Sequence, residues 1–318
     1  MSECTDTSTP FFVVGAVRSG TTLLRLMLGH HPEICRCEEM EYVVGDIVPQ
    51  DVREDTKEYV RRLKLDRGFR MSGYRINEQL DYPAMAFDFM SQRRFKDGRR
   101  LVGATVHHHF DRLPGLWPNA RFIFLNRDPR DVARSCVEQG WGGTPWRASE
   151  FWLNAQSAWQ RLRETVDADQ RLEVYFESLA AEPQQNLDRI CAFLGVEYDP
   201  AMLEINKDTT YSPPDPANAR SWRDSATEDE IAQVESRVGL EALKSAGYEP
   251  SGLPLLSDSV MTRLRITFTD LQVRMLARVR KYGVVLWLQG LIARRLPWQG
   301  LRDRIRMKMD AVDNLHLK

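Results

Sequence analysis

The residues with the clearest chemical potential lie in the glycine-flanked loop 15–20, GAVRSG, which Thr21 and Thr22 follow. Glycines allow backbone N–H groups to turn inward around an oxyanion, and the N-terminus of a following helix adds partial positive charge. The apolar run 11–14 precedes the loop, and an apolar stretch with helical spacing follows it. This order predicts a strand, an anion-binding loop and a helix, and we expect the loop to hold a phosphate.

The position of the cation separates this loop from a nucleotide-triphosphate loop. The pattern GxxxxGK[ST] would use Gly15 and Gly20, but Thr21 stands where the pattern requires the lysine that reaches the β and γ phosphates. The cation here, Arg18, lies inside the loop instead. The missing lysine argues against ATP or GTP. A loop of this kind suits one phosphate and an adjacent reacting anion.

A second anion site is predicted where another strand gives way to a helix. Residues 121–125, RFIFL, are typical of a buried parallel strand, and Arg127 stands at its end. Asp128 fits the cap of the helix that follows, and Ser135 looks back from that helix. The alternative is that Arg127 only forms an ion pair with Asp131.

These two motifs resemble those of sulfotransferases that use 3′-phosphoadenosine 5′-phosphosulfate (PAPS). The loop Arg18-Ser-Gly-Thr-Thr-Leu resembles the family's 5′-phosphosulfate loop, and Arg127-Asp-Pro-Arg-Asp-Val-x-x-Ser resembles its 3′-phosphate motif. The resemblance covers roughly residues 10–250. It implies an α/β fold with a P-loop-like central parallel sheet flanked by helices, and adenosine 3′,5′-bisphosphate as product, with no metal. The donor-binding residues it implies are Arg18, Ser19, Gly20, Thr21, Thr22, Arg127, Ser135, Tyr175, Arg220, Trp222 and Arg223.

A candidate base lies in the acidic patch 38–41. The stretch 18–41 is similar to tyrosylprotein sulfotransferases, which pair the loop arginine with a glutamate base shortly after a His-Pro pair. Glu39 sits at the matching separation. The resemblance implies that Glu39 takes the proton of an acceptor hydroxyl and that Arg18 neutralises charge on the bridging oxygen and the sulfuryl group. The alternative is a solvated acidic loop.

The run His107-His108-His109 follows residues 101–106, LVGATV, which have strand composition. On a strand, His107 and His109 face one way and His108 the other, so the three cannot chelate one metal ion. His107, at the carboxyl end of a strand, is a candidate catalytic residue in the acceptor cleft, and a surface histidine run is the alternative. The segment resembles the Lys-Thr-His of some sulfotransferases only loosely. The family's lysine is missing, which leaves one charge-stabilising role unassigned.

Two later segments are candidates for the adenine end of the donor. Tyr175 is the penultimate residue of the strand-like run 171–176. It lies near the adenine in one interpretation and is a half-buried strand tyrosine in the other. The proline-rich loop 208–218 leads to Arg220, Trp222 and Arg223, which can stack on a base and neutralise a phosphate or serve as a surface anchor. A helix is predicted from about Thr227, with Glu230 completing a capping box.

Composition limits the class of protein. The 318 residues, 42% of them hydrophobic, can form a large core, and a net charge of −1 gives no reason to expect nucleic acid. Helices are predicted over 53–65 and 82–95, and the resemblance implies that this region shapes the acceptor pocket. The five cysteines, odd in number and irregular in spacing, are predicted to be idle thiols. Residues 1–10 lack the features of a secretory signal, so we expect the protein in the cytosol. The resemblance implies a soluble, bacterial-type member of the sulfotransferase family.

The C-terminal segment 259–318 differs from the rest of the chain in charge. It carries 13 Lys and Arg against 4 Asp and Glu, whereas residues 1–258 carry 31 against 41. We therefore predict a sulfotransferase domain over 1–258 and a basic, amphipathic helical extension over 259–318. Its most apolar run, 283–293, is too short for the roughly 20 residues that span a bilayer. Three roles stay open: packing on the core, a homodimer interface, or peripheral contact with the inner face of an anionic membrane.

Together these features predict an O-sulfotransferase that transfers the sulfuryl group in line from PAPS to a hydroxyl acceptor. The acceptor classes left open are a glycolipid, a carbohydrate, a small-molecule alcohol and a tyrosyl peptide. One alternative is a P-loop kinase or nucleotide-binding protein, but no convincing Asp ends an apolar strand to hold magnesium. Another is a non-catalytic adaptor acting through the basic C-terminal helices.

Overall fold

The computed structural model describes residues 9–44, 56–205 and 213–316. The chain divides into two compact units, each of which is described by itself. The first comprises Met1–Arg127 and Trp152–Arg220, and the second comprises Asp128–Phe151 and Ser221–Lys318. The predicted boundary between residues 258 and 259 stays a prediction.

The first unit is built on a four-stranded parallel sheet with the order β2-β1-β3-β4. Phe11 of β1 pairs with Gly103 of β2 on one side and with Arg121 of β3 on the other. Both faces of the sheet are covered, which explains why its central strands are continuous apolar runs. The predicted central parallel sheet flanked by helices is confirmed. The strands are β1 Phe11–Val14, β2 Gly103–Val106, β3 Arg121–Asn126 and β4 Arg171–Tyr175.

Fourteen α-helices lie in the described part of the chain, and α7 runs from the second unit into the first. They are α1 Thr21–Gly29, α2 Glu41–Val44, α3 Thr56–Leu65, α4 Arg67–Ser72, α5 Tyr82–Asp97, α6 Pro129–Glu138, α7 Pro145–Thr165, α8 Phe176–Ala181, α9 Pro183–Leu194, α10 Trp222–Ser225, α11 Glu228–Val238, α12 Leu240–Ser245, α13 Val260–Arg295 and α14 Gln299–His316.

The alternation of side chains along β1 divides the core of the first unit between the two faces of the sheet. Phe11 and Val13 belong to a buried cluster with Leu24 of α1. Phe12 points to the opposite face, where its ring lies 5.2 Å from that of Trp117. Helix α1 buries residues three and four apart, as an amphipathic helix does. The helix that follows the anion-binding loop is therefore held firmly on the sheet.

The two helices predicted between residues 50 and 100 are present. Helix α3 begins at Thr56, and the first three residues of the predicted span, 53–55, lie outside the described residues. Helix α5 runs two residues past the predicted end, to Asp97, where Gly98 with a φ of 64° stops it. Asp81 caps its N-terminus by accepting a hydrogen bond of 3.0 Å from the N–H of Ala84.

A buried ion-pair cluster organises the second unit around the N-terminus of α6. Arg130 is 3% exposed and pairs with Asp128 at 2.7 Å and with Glu235 of α11 at 2.8 Å. Asp128 is also the predicted cap of α6, and it accepts from the N–H of Arg130 at 3.0 Å. The capping box of Thr227 and Glu230 at the start of α11 is confirmed.

The C-terminal helices form an antiparallel hairpin within the second unit, so the predicted helical extension is confirmed. Gly283, with φ 72° and ψ 160°, breaks α13. Beyond this break α14 returns along α13, and the hydroxyl of Tyr282 donates to Asp313 at 2.8 Å. Within the described residues we find no helix with the length and apolarity that a bilayer crossing needs. The cytosolic location stays a prediction.

Candidate active site

The carboxyl ends of the four parallel strands meet at one edge of the sheet, and a predicted site residue stands at each. The loop 15–20 follows β1, His107 follows β2 and Arg127 follows β3, while Tyr175 is the last residue of β4. Ligands of open α/β sheets bind outside this edge, where the strand order reverses. In this sheet the order reverses at β1, so the loop 15–20 occupies the expected binding position.

The backbone of the loop depends on its two glycines. A Cβ atom at Gly15 would lie 2.5 Å from the carbonyl oxygen of Leu125, so only glycine permits this approach to β3. Gly20 has a φ of 93°, and Arg18 also takes the left-handed region, with a φ of 69°. The loop closes on itself because the N–H of Ser19 donates to the carbonyl of Ala16 at 3.1 Å.

Helix α1 begins at Thr21 directly after this turn. Its first amide with an intrahelical partner is that of Leu24, which donates to Gly20 at 3.1 Å. No side chain caps the helix, and its first turn carries no acidic residue. The first-turn amides and the partial positive charge of the helix are therefore available to an anion at the loop.

Arg127 joins the two predicted phosphate motifs, although 109 positions separate it from Arg18. Its Nη1 donates to the carbonyl of Arg18 at 3.1 Å, and its Nη2 donates to the carbonyl of Asn218 at 2.9 Å. Its guanidinium lies 4.3 Å from the ring centroid of Phe176, within the range of a cation–π contact. These contacts fix the cation at the edge of the glycine loop 15–20.

Phe176, the first residue of α8, was missed by the sequence analysis. Its ring leaves no room for a side chain at Gly20, where a Cβ atom would lie 2.3 Å from the ring carbon Cδ2. The same ring supports Arg127. Its only signal in the sequence was its place beside Tyr175 at the end of a strand. Phe176 thus sets the spacing between the loop and the cation.

Glu39 and His107 lie at β2, on the side of β1 away from β3. Residues 38–40 form a short parallel bridge with β2, in which the N–H of Thr105 donates to Glu38 at 2.9 Å. This bridge places Glu39 beside β2, the strand that His107 follows. The carboxylate of Glu39 acts on the imidazole by raising its pKa, although burial outweighs this effect and the net pKa of His107 is lowered.

The protonation state of His107 follows from its partner. Its Nδ1 lies 3.1 Å from the carbonyl oxygen of Gly15, which can only accept. The lowered pKa favours the neutral ring, so the proton lies on Nδ1 and Nε2 carries the lone pair. His107 therefore joins β2 to the first residue of the phosphate loop and has a nitrogen able to accept a proton.

Arg25 is a second residue that the sequence analysis missed. It lies on α1, and its Nη2 is 3.9 Å from Oε1 of Glu39. Its charge also lowers the pKa of His107. A cation at this position orients the Glu39 carboxylate from the helix that follows the loop. The stretch 18–41 contains this arginine, but its residue type and spacing do not predict that Glu39 is its partner.

Glu41 is a buried carboxylate at the same edge. Its two oxygens accept from the backbone N–H groups of His107 and His108. Burial raises its pKa from 4.5 to about 7, while these hydrogen bonds act in the opposite direction and the charge of Glu39 adds to the rise. Glu41 therefore fixes the backbone that carries His107. In the sequence it was only one member of an acidic patch.

We expect replacement of Glu41 by glutamine to remove a pH dependence of stability. The folded protein holds this proton up to about pH 7, whereas the unfolded chain releases it near 4.5. As the pH rises from 4.5 to about 7, the free energy of unfolding of the wild type therefore falls by about 3 kcal/mol relative to that of the variant. Urea unfolding of both proteins at about pH 5 and about pH 8 measures this difference. If wild type and variant differ in unfolding free energy by the same amount at both pH values, the role of Glu41 is contradicted.

The remaining predicted residues of the first unit lie less centrally. Tyr175 pairs in register with Asn126 and is half-buried, and burial is the main cause of its raised pKa. Arg220 is exposed and has a φ of 60°. The first part of the proline-rich loop, residues 206–212, lies outside the described residues, and a short 3₁₀ helix, Pro216–Asn218, follows it.

Ser135, Trp222 and Arg223 belong to the second unit. Ser135 lies half-buried on α6, and Arg223 is exposed. The indole of Trp222 is only 7% exposed, and its Nε1 donates to Asp128 at 3.0 Å. The guanidinium of Arg130 covers its ring at 3.7 Å. This geometry favours the anchoring alternative for Trp222.

Other ionisable clusters have no visible role at this edge. Among the residues that the structure describes, no group of three or more His, Cys, Asp or Glu side chains could hold a metal ion. Four of the five cysteines are free and buried, and burial raises the pKa of Cys35 to about 11. Cys4 lies outside the described residues. A cavity of ≈ 530 Å³ in the second unit is lined by none of the predicted site residues.

A parallel α/β sheet with a glycine-flanked loop after its first strand and an arginine after its third is an arrangement typical of proteins that bind phosphoryl or sulfuryl groups. Comparison with known sequences makes this specific, since a sequence model of the sulfotransferase family matches residues 10–200. The match covers more than half of the chain, and the chain belongs to the sulfotransferase family. The predicted family and enzyme class are confirmed.

The curated relatives include protein-tyrosine sulfotransferases. The chain is 27% identical over 274 residues to protein-tyrosine sulfotransferase A of Caenorhabditis elegans, covering 78% of this chain and 69% of that one. It is 27% identical to protein-tyrosine sulfotransferase 1 of Danio rerio, over 62% of this chain and 58% of the relative. It is also 25% identical to nodulation protein NoeE of Sinorhizobium fredii, with 76% and 66% covered.

Two solved structures share the fold. The sulfotransferase domain from the curacin biosynthetic pathway matches with a TM-score of 0.55 at 16% identity, over 78% of this chain and 99% of the domain. The sulfotransferase domain from the olefin synthase of Synechococcus PCC 7002 matches with a TM-score of 0.51 at 21% identity, over 74% and 97%. At these identities the likeness concerns the fold alone.

Proposed function

We propose that this sulfotransferase transfers the sulfuryl group of PAPS to a hydroxyl acceptor. The observation that carries this proposal is the hydrogen bond of 3.1 Å from Arg127 to the carbonyl of Arg18, which joins the two phosphate motifs at one edge of the sheet. A single nucleotide with phosphates at both its 5′ and 3′ positions would use both motifs. The relocated cation and the missing lysine favour this donor over a triphosphate.

The phosphate loop fits the 5′ end of this donor. Its backbone approaches β3 where a Cβ atom at Gly15 would meet the carbonyl of Leu125, and α1 presents uncapped first-turn amides. The amides of residues 18–22 and the hydroxyls of Thr21 and Thr22 would hold the 5′-phosphate. Arg127 would bind the 3′-phosphate, because its guanidinium is already fixed by the loop and by Phe176.

The donor, when bound, supplies a sulfuryl group on a phosphate leaving group. Glu39 would accept the proton of the acceptor hydroxyl while the acceptor oxygen forms its bond to sulfur. The bond from sulfur to the bridging phosphate oxygen breaks, and Arg18 would neutralise the charge that develops there. Adenosine 3′,5′-bisphosphate leaves as the product. We propose that this transfer needs no metal.

His107 would position or share the proton at this site. Its Nε2 carries the lone pair, and Glu39 interacts with the same ring. We propose that Glu39 is the base and that His107 lines the acceptor side of the loop. We propose that the donor-binding roles implied by the resemblance are kept by Ser135, Tyr175, Arg220 and Arg223. Trp222, which is held against the guanidinium of Arg130, would instead serve as an anchor.

The acceptor proposal rests on the names of the relatives. Several are called protein-tyrosine sulfotransferases, so a tyrosyl peptide is the first acceptor to test, with a glycolipid, a carbohydrate and a small-molecule alcohol as further classes. The test incubates the purified protein with sulfur-labelled PAPS and one acceptor of each class. Label in an acceptor, with stoichiometric adenosine 3′,5′-bisphosphate, supports the proposal. Phosphoryl transfer from Mg-ATP would favour the kinase alternative, and binding without either transfer would favour the adaptor.

A further inference from the structure

The first part of α13 is attached to the second unit by one face. Ile266 and Asp270 on this face are each 4% exposed. The carboxylate of Asp270 accepts a hydrogen bond of 2.8 Å from the N–H of Gly143 and pairs with Arg274 at 3.3 Å. The bond to Gly143, which lies outside α13, fixes the rotation of the helix about its axis. Its opposite face is therefore held outward.

That outward face carries a continuous apolar stripe. Successive residues of an α-helix are rotated by about 100° around its axis. On this basis, six large apolar side chains of α13 lie within a sector about 100° wide. The centre of this sector lies about 150° from the buried face that carries Ile266 and Asp270. All six are more than two-fifths exposed, and the largest, Phe268, is 62% exposed. The stripe consists of Val260, Met261, Leu264, Phe268, Leu271 and Met275.

The apolar surface continues beyond the break at Gly283. Val284, Val285, Leu288 and Ile292 are all exposed, and so is Trp298 before α14. Of the 19 large hydrophobic side chains exposed in the described residues, 14 lie in this C-terminal segment. Scattered apolar side chains are normal on a protein surface, whereas a concentration of this kind marks an interaction site.

Basic side chains border the stripe and the hairpin. Arg263 and Arg265 have side chains 66% and 63% exposed, although each has an acidic partner nearby. Arg294 and Arg295 end α13 exposed, and α14 presents further exposed cations. With 13 basic against 4 acidic residues, segment 259–318 carries a balance of +9. A second copy of the chain would bring the same positive charge to this face, whereas an anionic surface complements it.

We propose that the exposed face of α13, with the hairpin formed by α14, docks on the surface of an anionic phospholipid bilayer. The apolar stripe would lie among the upper acyl chains, and the flanking arginines would contact lipid phosphates, as in interfacial amphipathic helices. The attachment through Asp270 holds this face ready for docking without a conformational change. This surface is independent of the proposed donor site.

The test is co-sedimentation of the full-length protein with phosphatidylcholine vesicles, with or without about 30 mol% phosphatidylglycerol. We expect binding to the anionic vesicles that falls at least ~10-fold without the anionic lipid and falls again at high salt. The double variant Leu264→Gln with Phe268→Gln should bind at least ~10-fold more weakly. The matched control, Met71→Gln with Phe95→Gln, removes two exposed apolar residues from the first unit and should bind like the wild type.

The variant Leu264→Gln with Phe268→Gln is called the stripe variant. If it fails to fold, a second variant, Arg294→Gln with Arg295→Gln, tests the contribution of positive charge to vesicle binding and should also bind more weakly. Thermal unfolding checks the fold of each variant. Wild-type protein that ignores anionic vesicles, or a folded stripe variant that binds them equally well, would overturn the proposal. Light scattering that shows a dimer for the wild type and a monomer for the stripe variant would also overturn the proposal. The exposed face of α13 would then be an interface with a second copy of the chain.

Discussion

Replacing Arg18 by alanine is expected to lower kcat at least ~100-fold, because we propose that this guanidinium neutralises the charge that develops on the leaving oxygen. The loop would keep its shape, since Gly15 and Gly20 set its close approaches and the Ser19 amide closes it. Because the lost interaction strengthens in the transition state, kcat and kcat/KM should fall together. Steady-state sulfuryl transfer to the best acceptor measures both constants.

The controls for Arg18 separate chemistry from folding. Arg18→Lys keeps a charge without the planar fork and should retain more activity than the alanine variant. Arg189→Ala removes an exposed arginine from α9 and should leave kcat unchanged. Arg18→Ala protein with normal thermal unfolding and near-normal turnover would remove Arg18 from the mechanism.

Replacing Glu39 by glutamine is the second large expected effect. The amide preserves the shape of the side chain and the bridge between residues 38–40 and β2, but it cannot take a proton. A general base contributes typically 10²- to 10⁴-fold, so we expect kcat to fall at least ~100-fold while binding of adenosine 3′,5′-bisphosphate is retained. Single-turnover transfer at saturating donor measures the chemical step.

Glu33→Gln is the matched control for Glu39. Glu33 lies in the same segment and pairs with Arg100 on the surface at 2.8 Å, so its loss should leave turnover unchanged. His107→Gln distinguishes the two candidate bases. Normal turnover in Glu39→Gln together with its loss in His107→Gln would transfer the role of base to the histidine.

The sequence predicted those parts of the structure that depend on neighbours along the chain. The strand 11–14, the glycine loop and the helix from Thr21 form a local pattern, and the structure places each at the predicted residues. The capping box at Thr227 is likewise local, because its donor and acceptor lie three residues apart. Apolar periodicity and cap chemistry are sufficient for such features.

The residues that the sequence analysis missed depend on contacts between distant segments. Phe176 touches Gly20 and supports Arg127 only because β4 lies beside β3 in the sheet. Glu41 reaches the amide of His107 across 66 positions, and its burial follows from that packing. Residue type and spacing carry no information on such partners. Trp222 shows how residue type leaves two roles open, since a residue suited to stacking on a base is held against Arg130.

The donor site is tested most directly by isothermal titration of the protein with adenosine 3′,5′-bisphosphate and, separately, with ATP plus magnesium. We expect tight binding of the bisphosphate without metal, weakened at least ~100-fold in Arg127→Ala, because that side chain would meet the phosphate absent from ATP. Arg189→Ala should bind like the wild type. Preference for Mg-ATP, or equal binding of the bisphosphate by Arg127→Ala, would contradict the claim that the joined motifs form a donor site.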